Sequence, residues 1–360
     1  MRIGGEPGRS LPTGRYAPLP SGAMTVVDSP APLVAPAPPA VARALRPAAE
    51  PGRRVGPAWL PVVLWVGLAV AFAATCAVRG LPTDRVVLLG WVIGGLGVHA
   101  ATQGARRVGR LLADWLPLVA ALLAYDASRG LADGLGMPVA VQELADADRW
   151  FGGGVLPTVW LQEQVQADWW KALATLVYSS HFVVTPVVLA VLWVRNRERW
   201  ARCARLVVAL SVAGLTTYVL YPAAPPWLAA KEGVIEPVAR ITSSGWSVLG
   251  LPKAGVLLDH GQGQVNLVAA VPSLHTAFAV LMCAVLLPMA RWWWQRAVLV
   301  AYAVTMPFVL VWGGEHYVVD TLLGAAYAVG VVLLMPSMER AGRRVLQGAA
   351  LRLPALPWRA

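Results

Sequence analysis

Apolar residues run along this chain in blocks of about twenty, the length a helix needs to cross a lipid hydrocarbon layer. Eight blocks stand out, at 59–78, 86–103, 111–128, 172–194, 204–221, 273–290, 297–313 and 317–335. They predict an all-α fold: a polytopic membrane bundle of about eight transmembrane helices, packed helix against helix in lipid. Residues 1–55 break the pattern. The stretch 30-PAPLVAPAPPA-40 supports neither a helix nor a β-ladder, because proline removes donors and fixes its own backbone. This segment reads as a disordered cytoplasmic tail, and it lacks the contiguous apolar stretch and cleavage site of a signal peptide. The expected organisation is therefore tail 1–55, two N-terminal helices in 56–110, a six-helix catalytic core in 111–338 and a basic cytoplasmic tail in 339–360.

Charge adds orientation. The chain of 360 residues is 57% hydrophobic and 14% charged, with a net charge of +11 that would admit a nucleic-acid partner. The arginines instead cluster at block ends. Arg53 and Arg54 precede the first block, Arg106, Arg107 and Arg110 follow the second, and Arg195, Arg197 and Arg199 follow the fourth. Arg291 and Arg296 follow the sixth, and Arg340, Arg343 and Arg344 follow the eighth. If the spans alternate, every cluster falls on one side, which the positive-inside rule makes the cytoplasm. Both termini then lie inside. Loops 129–171 and 222–272 and the 313-GGEH-316 link lie outside. Abundant Ala, Arg and Pro with only three lysines is a usage associated with high-GC bacteria, so the expected location is a bacterial plasma membrane. Cys76, Cys203 and Cys283 sit in or beside apolar runs at unrelated spacings and read as small buried hydrophobes.

Three histidines then share one expected membrane level, the extracytoplasmic one. His181 lies in 178-YSSHF-182, at the outer start of the fourth span, His275 ends 271-VPSLH-275, at the outer start of the sixth, and His316 opens the last span in 314-GEHYVVD-320. Asp320 is four residues after His316, hence on the same helix face. A carboxylate there can fix the tautomer of the imidazole and support its positive charge. The other ring nitrogen is left as a nucleophile. Ionisable side chains within a membrane are costly and mark functional sites. Taken alone, an i,i+4 His–Asp pair is also what a satisfied polar pair or a helix cap looks like.

The combination of VPSLH and EHYVVD resembles the second and third signatures of the membrane-bound type 2 phosphatidic acid phosphatase superfamily. With YSSHF and 222-PAAPPW-227, it is most similar to the inositolphosphotransferase and inositol phosphorylceramide synthase branch. The resemblance covers roughly 111 to 335. It implies that His316 attacks phosphorus to form a phosphohistidine, that Asp320 orients it, and that His275 protonates the leaving oxygen and then activates the acceptor. It implies a membrane lipid phosphate as substrate, water or a polar alcohol as acceptor, and no cofactor. Two anchors of the wider pattern are missing. Tyr178 and Ser179 stand where an Arg-Pro pair would follow Lys171, and Val309 and Leu310 stand in place of a Ser-Arg pair. A transferring phosphoryl group needs fixed donors. The expected substitutes are Tyr178, Ser179, Ser180, His181 and Ser273, helix N-termini, and the charges of Arg129 and Lys171.

Other features surround this site. The PAAPPW segment cannot continue a helix and is expected to turn the chain and wall the site. Residues 139–170 read as amphipathic helices on the outer surface, rich in tryptophan. The cluster 292-WWW-294 reads as an inner aromatic belt. His99 is expected at a span end and His260 in the outer loop. Two other functions remain compatible with the residues: a proton-coupled transporter using the histidines and Asp320 as a relay, and a metal-dependent enzyme using His181, His275, His316 and Asp320 as ligands.

Overall fold

The computed structural model describes residues 57–82, 84–132, 136–263 and 267–352. The expected N-terminal tail lies outside these residues. The long helices are α1 (Trp59–Arg79), α2 (Arg85–Ala101) and α3 (Ala105–Ala132). Two short helices follow, α4 (Gln142–Phe151) and α5 (Pro157–Gln164), and then the long α6 (Asp168–Arg195) and α7 (Arg197–Leu220). After them come the short α8 (Pro226–Lys231), α9 (Gly245–Val248) and α10 (Pro252–Gly263), and finally α11 (Leu274–Leu286), α12 (Trp293–Trp312) and α13 (Val318–Arg352).

All eight apolar blocks are helical, but among the described residues only six helices are long and apolar enough to cross a membrane. The helix Arg85–Ala101 and the stretch Leu274–Met289 are shorter. The reason is clearest for α11, which packs against α6, α7, α12 and α13 at once. Its Leu274, Ala277, Leu281 and Met282 are buried. A helix enclosed by protein needs no lipid-spanning length. α13 also differs from expectation, since it continues as one helix through the boundary placed at 338.

Local chemistry sets several boundaries. Asp84 caps α2 by accepting from the backbone N–H groups of Val86 and Val87, both at 2.9 Å. Asn196 separates α6 from α7 and caps the latter through Arg199 N–H. Proline opens α5 and α8, where a missing N–H costs nothing. Ser273 caps α11.

The end of the bundle that carries the histidines is roofed by α4, α5 and the segments 222–263 and 267–272. α4 turns Leu144, Ala145 and Asp148 inward and leaves Trp150 79% exposed, the amphipathic character expected of 139–170. Three extended segments meet here in parallel bridges, Ala140 with Ala223 and Ala223 with Ala269. They tie the PAAPPW turn to both long loops.

The opposite end carries the arginines. There Asp114 of α3 accepts from Arg197 Nε at 2.7 Å and from the Trp193 indole at 2.9 Å. The Arg107 guanidinium lies 4.3 Å over the Trp193 ring. Trp292, Trp293 and Trp294 lie exposed at the start of α12.

Candidate active site

His316 follows a turn that only small residues permit. Gly314 has φ +76°, and a Cβ there would stand 2.8 Å from the Ala239 carbonyl oxygen. That close approach lets Ile241 N–H bond Gly313 O at 3.1 Å and Trp227 N–H bond Gly314 O at 3.0 Å. The residues before His316 are thus clamped by the 239–241 loop and by the PAAPPW turn. α13 begins immediately afterwards and carries Asp320 in its first turn.

Asp320 is fully buried. Its Oδ2 accepts from Tyr317 N–H at 2.9 Å and faces His316 Nδ1 at 3.4 Å. The second contact is longer than a good hydrogen bond, as pairs of this kind often are without substrate. It points Nδ1 at the carboxylate, so Nε2 is the nitrogen turned away from it. Asp148, from α4, accepts from Val319 N–H at 3.1 Å and so caps α13 from another element. Burial raises its pKa to about 6, against the lowering effect of the Val318 and Val319 N–H groups. Burial likewise pushes the Tyr317 hydroxyl upward, with Asp320 and Asp148 adding to it.

His275 reaches this helix because α11 and α13 nearly touch. A Cβ on Gly324 would fall 2.2 Å from Ser273 O, and Ser273 N–H donates to Asp320 O at 3.0 Å. The His275 and His316 ring centroids are 5.8 Å apart. Tyr178 stacks on His275 at 4.7 Å, and His181 lies 4.3 Å from it. These rings line one cavity of about 260 Å³, close to the lower end of ligand pockets.

The expected binding residues divide. Tyr178 and His181 line the cavity with His275 and His316. Ser180 instead donates to Val177 O and Tyr302 OH, and Ser273 is occupied as the α11 cap. Ser179 is not among the lining residues, and its hydroxyl is buried without a hydrogen-bond partner among the described residues. Lys171 pairs with Asp168 at 2.8 Å, away from the cavity lining. The side chains of Arg129 and His260 lie outside the described ones. His99 sits in the last turn of α2 beside Gln103. His181 is not at a helix start. α6 begins at Asp168, so thirteen residues put His181 ~20 Å along the axis. The site is therefore recessed, because α6 projects beyond the short α11. Among the described residues, no group of three His, Cys, Asp or Glu side chains is arranged to hold a metal ion.

One charged residue was missed at the sequence level. Arg240 lines the cavity with the histidines. Its Nε donates to Glu315 Oε1 at 2.7 Å and its Nη2 to Oε2 at 3.2 Å. Thr242 also donates to Glu315, and the guanidinium lies 4.7 Å over the Trp227 ring. Gln162 of α5 grips the same loop through Ala239 N–H and O. The only sequence signal was the proximity of Glu315 to His316, since Arg240 sits in a loop without periodicity. Pro225 and Trp227 of PAAPPW do line the cavity, as expected.

The family described as the PAP2 superfamily matches residues 142–334. A curated relative, the phosphoinositol dihydroceramide synthase of Bacteroides thetaiotaomicron, is 30% identical over 162 residues, covering 41% of this chain. The chain spans about half the length of that relative (50%). No solved structure matches.

Proposed function

This chain belongs to the PAP2 superfamily, a membrane phosphatase and phosphotransferase class, and from that premise we propose that it transfers a phospho-headgroup from one lipid alcohol to another through a covalent histidine intermediate. The observation that carries the reading is the set of His316, backed by Asp320, and His275 around one cavity. His316 Nε2 attacks phosphorus while Asp320 holds the Nδ1 proton. The P–O bond to the lipid breaks as an N–P bond forms, and His275 gives the departing oxygen its proton. His275, now neutral, takes the proton of the incoming hydroxyl, whose oxygen attacks phosphorus and releases His316. Water in that position gives hydrolysis instead, which is a phosphatase reaction when the substrate is a phosphate monoester. The name of the Bacteroides relative supports phosphoinositol as the group moved and a lipid alcohol as acceptor.

Arg240 is our choice for the anion anchor in place of the absent arginines. Glu315 fixes the guanidinium plane beside His316, and Trp227 supports its face. A planar fork of donors suits equatorial phosphoryl oxygens. Tyr178 and His181 complete the polar lining.

The direct test is phosphoenzyme trapping. Purified protein incubated with head-labelled phosphatidylinositol and quenched at alkaline pH should carry label on the peptide containing His316. Labelled enzyme in His316→Ala would sink the covalent route. The arginine distribution supports an active site at the extracytoplasmic face. In a background with the three native cysteines replaced by alanine, Trp150→Cys should react with an impermeant maleimide in intact cells. Trp293→Cys should react only after permeabilisation, and the reverse result overturns the orientation.

A further inference from the structure

The cavity that holds the histidines has a second polar pole, and it is built by chain outside the family match. Helices α2 and α3 precede residue 142, where that match begins. Yet Arg85, Leu89, Leu122 and Asp126 line the same cavity as His275 and His316. Arg85 opens α2, and its Nη2 sits 2.7 Å from Asp126 Oδ1 and 2.9 Å from Oδ2. Both side chains are about a quarter exposed, at 29% and 26%. Between the two poles the wall is apolar, with Leu122, Phe182 and Leu189 among its residues. A cation and an anion side by side, facing a cavity across an apolar wall, offer one donor and one acceptor to an amphipathic guest.

We infer that this α2–α3 wall is the lipid-alcohol subsite, and that the Arg85–Asp126 pair reads polar groups beside the reactive hydroxyl. The inference rests on the phosphotransfer reading above. In-line displacement at phosphorus puts the leaving oxygen opposite the His316 nitrogen, and the second displacement brings the acceptor oxygen to the place just vacated. One subsite therefore holds the departing alcohol and then the incoming one. The phosphate end of the cavity is common to both half-reactions and cannot distinguish alcohols. The α2–α3 side can. The ligand class is a lipid alcohol carrying an amide or second hydroxyl near the one that reacts. An amide C=O can accept from Arg85, and an N–H or O–H can donate to Asp126. An alcohol without those groups would leave the ion pair its own two contacts but forgo the added bonds, which is the basis of the preference.

The test uses competition, so that the fraction of folded enzyme cancels. The full-length protein in detergent micelles receives nitrophenyl inositol phosphate as donor, with N-acyl sphinganine and dodecanol as competing acceptors. Nitrophenol release reports the first displacement, and the ratio of the two lipid products reports the subsite. The wild type should favour N-acyl sphinganine by about tenfold or more. The double variant Arg85→Asp/Asp126→Arg keeps an ion pair between α2 and α3 but reverses its direction, and its ratio should fall to about one. If that protein does not fold, Arg85→Gln/Asp126→Asn keeps the shape without the charge and should show the same fall. An unchanged ratio in a folded variant overturns the inference and makes the pair a tie between helices only. A wild type without preference overturns it as well. A wild type that releases no nitrophenol and makes no lipid product from phosphatidylinositol refutes the phosphotransfer reading itself.

Discussion

Asp114 and Asp320 are both buried carboxylates on membrane-length helices, at opposite ends of the bundle. Around Asp114 both oxygens are engaged, by two nitrogens of Arg197 and by the Trp193 indole. Around Asp320 the accounting stays open. Its Oδ1, the Tyr317 hydroxyl and Asp148 Oδ2 are buried without hydrogen-bond partners among the described residues. Desolvated polar atoms left unpaired cost stability, and the Asp114 end holds three as well, Arg107 Nε, Trp115 Nε1 and Trp200 Nε1, among the described residues. The contrast lies in the carboxylates themselves: Asp114 has both oxygens held, and Asp320 keeps one unclaimed among the described residues.

That contrast can be broken by mutation, and the largest effect should come from the open end. His316→Ala is expected to reduce turnover by a thousandfold or more, roughly the scale of losing a nucleophile. Its thermal midpoint in detergent should stay near that of the wild type; comparable residual turnover would end the assignment. His275→Ala should lose about 10²–10⁴ in rate, the usual contribution of a general acid–base. A donor with a good leaving group, such as a nitrophenyl ester, should recover much of the first displacement because its oxygen needs no proton. Arg240→Ala should lower kcat/KM by roughly ten- to a hundredfold, as loss of a hydrogen bond to a charged group does. Arg240→Lys should restore only part of it, since an ammonium lacks the fork.

At the closed end the pattern should invert. Arg197→Ala removes the partner of a buried carboxylate and should cost about 2 kcal/mol of stability. Turnover per folded molecule should not change, and a selective loss of turnover would merge the two clusters into one system. A pH-dependent effect concerns Asp148, whose folded pKa of about 6 is raised mainly by burial. Unfolded, it titrates near 3.9. Between about pH 4 and pH 6 the native state therefore holds a proton that the unfolded chain has lost, and stability falls as pH rises. The slope should approach about 1.4 kcal/mol per pH unit and level off above pH 6. Asp148→Asn should flatten that window in a series of thermal melts, while the Asp114 end should contribute no such slope.

Much of this site was legible before any coordinates. His316 and Asp320 meet because a helix repeats every 3.6 residues, a local rule that spacing reveals. His275 was legible through its proline-led motif at a helix start. Arg240 was not, because its contact with Glu315 joins loops 75 residues apart. Gly313, Gly314 and Gln162 set that contact, and no period marks any of them. Lys171 illustrates the reverse: spacing from a family pattern nominated it, while a carboxylate one turn earlier holds it elsewhere. His181 was placed at the right level for the wrong reason, as a helix start rather than a mid-helix residue beside a shorter neighbour.

Helix content and the placement of His316 and Asp320 on one face follow from composition and from contacts within four residues, so the chain alone determines them. Depth, cavity shape and the identity of the charged residues facing it depend on how helices of unequal length pack. α11 is short because four neighbours enclose it. α2 and α3 wall a site whose chemistry lies almost two hundred residues further along the chain. Such contacts are chosen by the fit of whole surfaces, glycine against backbone and ring against ring, and only the folded bundle brings those surfaces together.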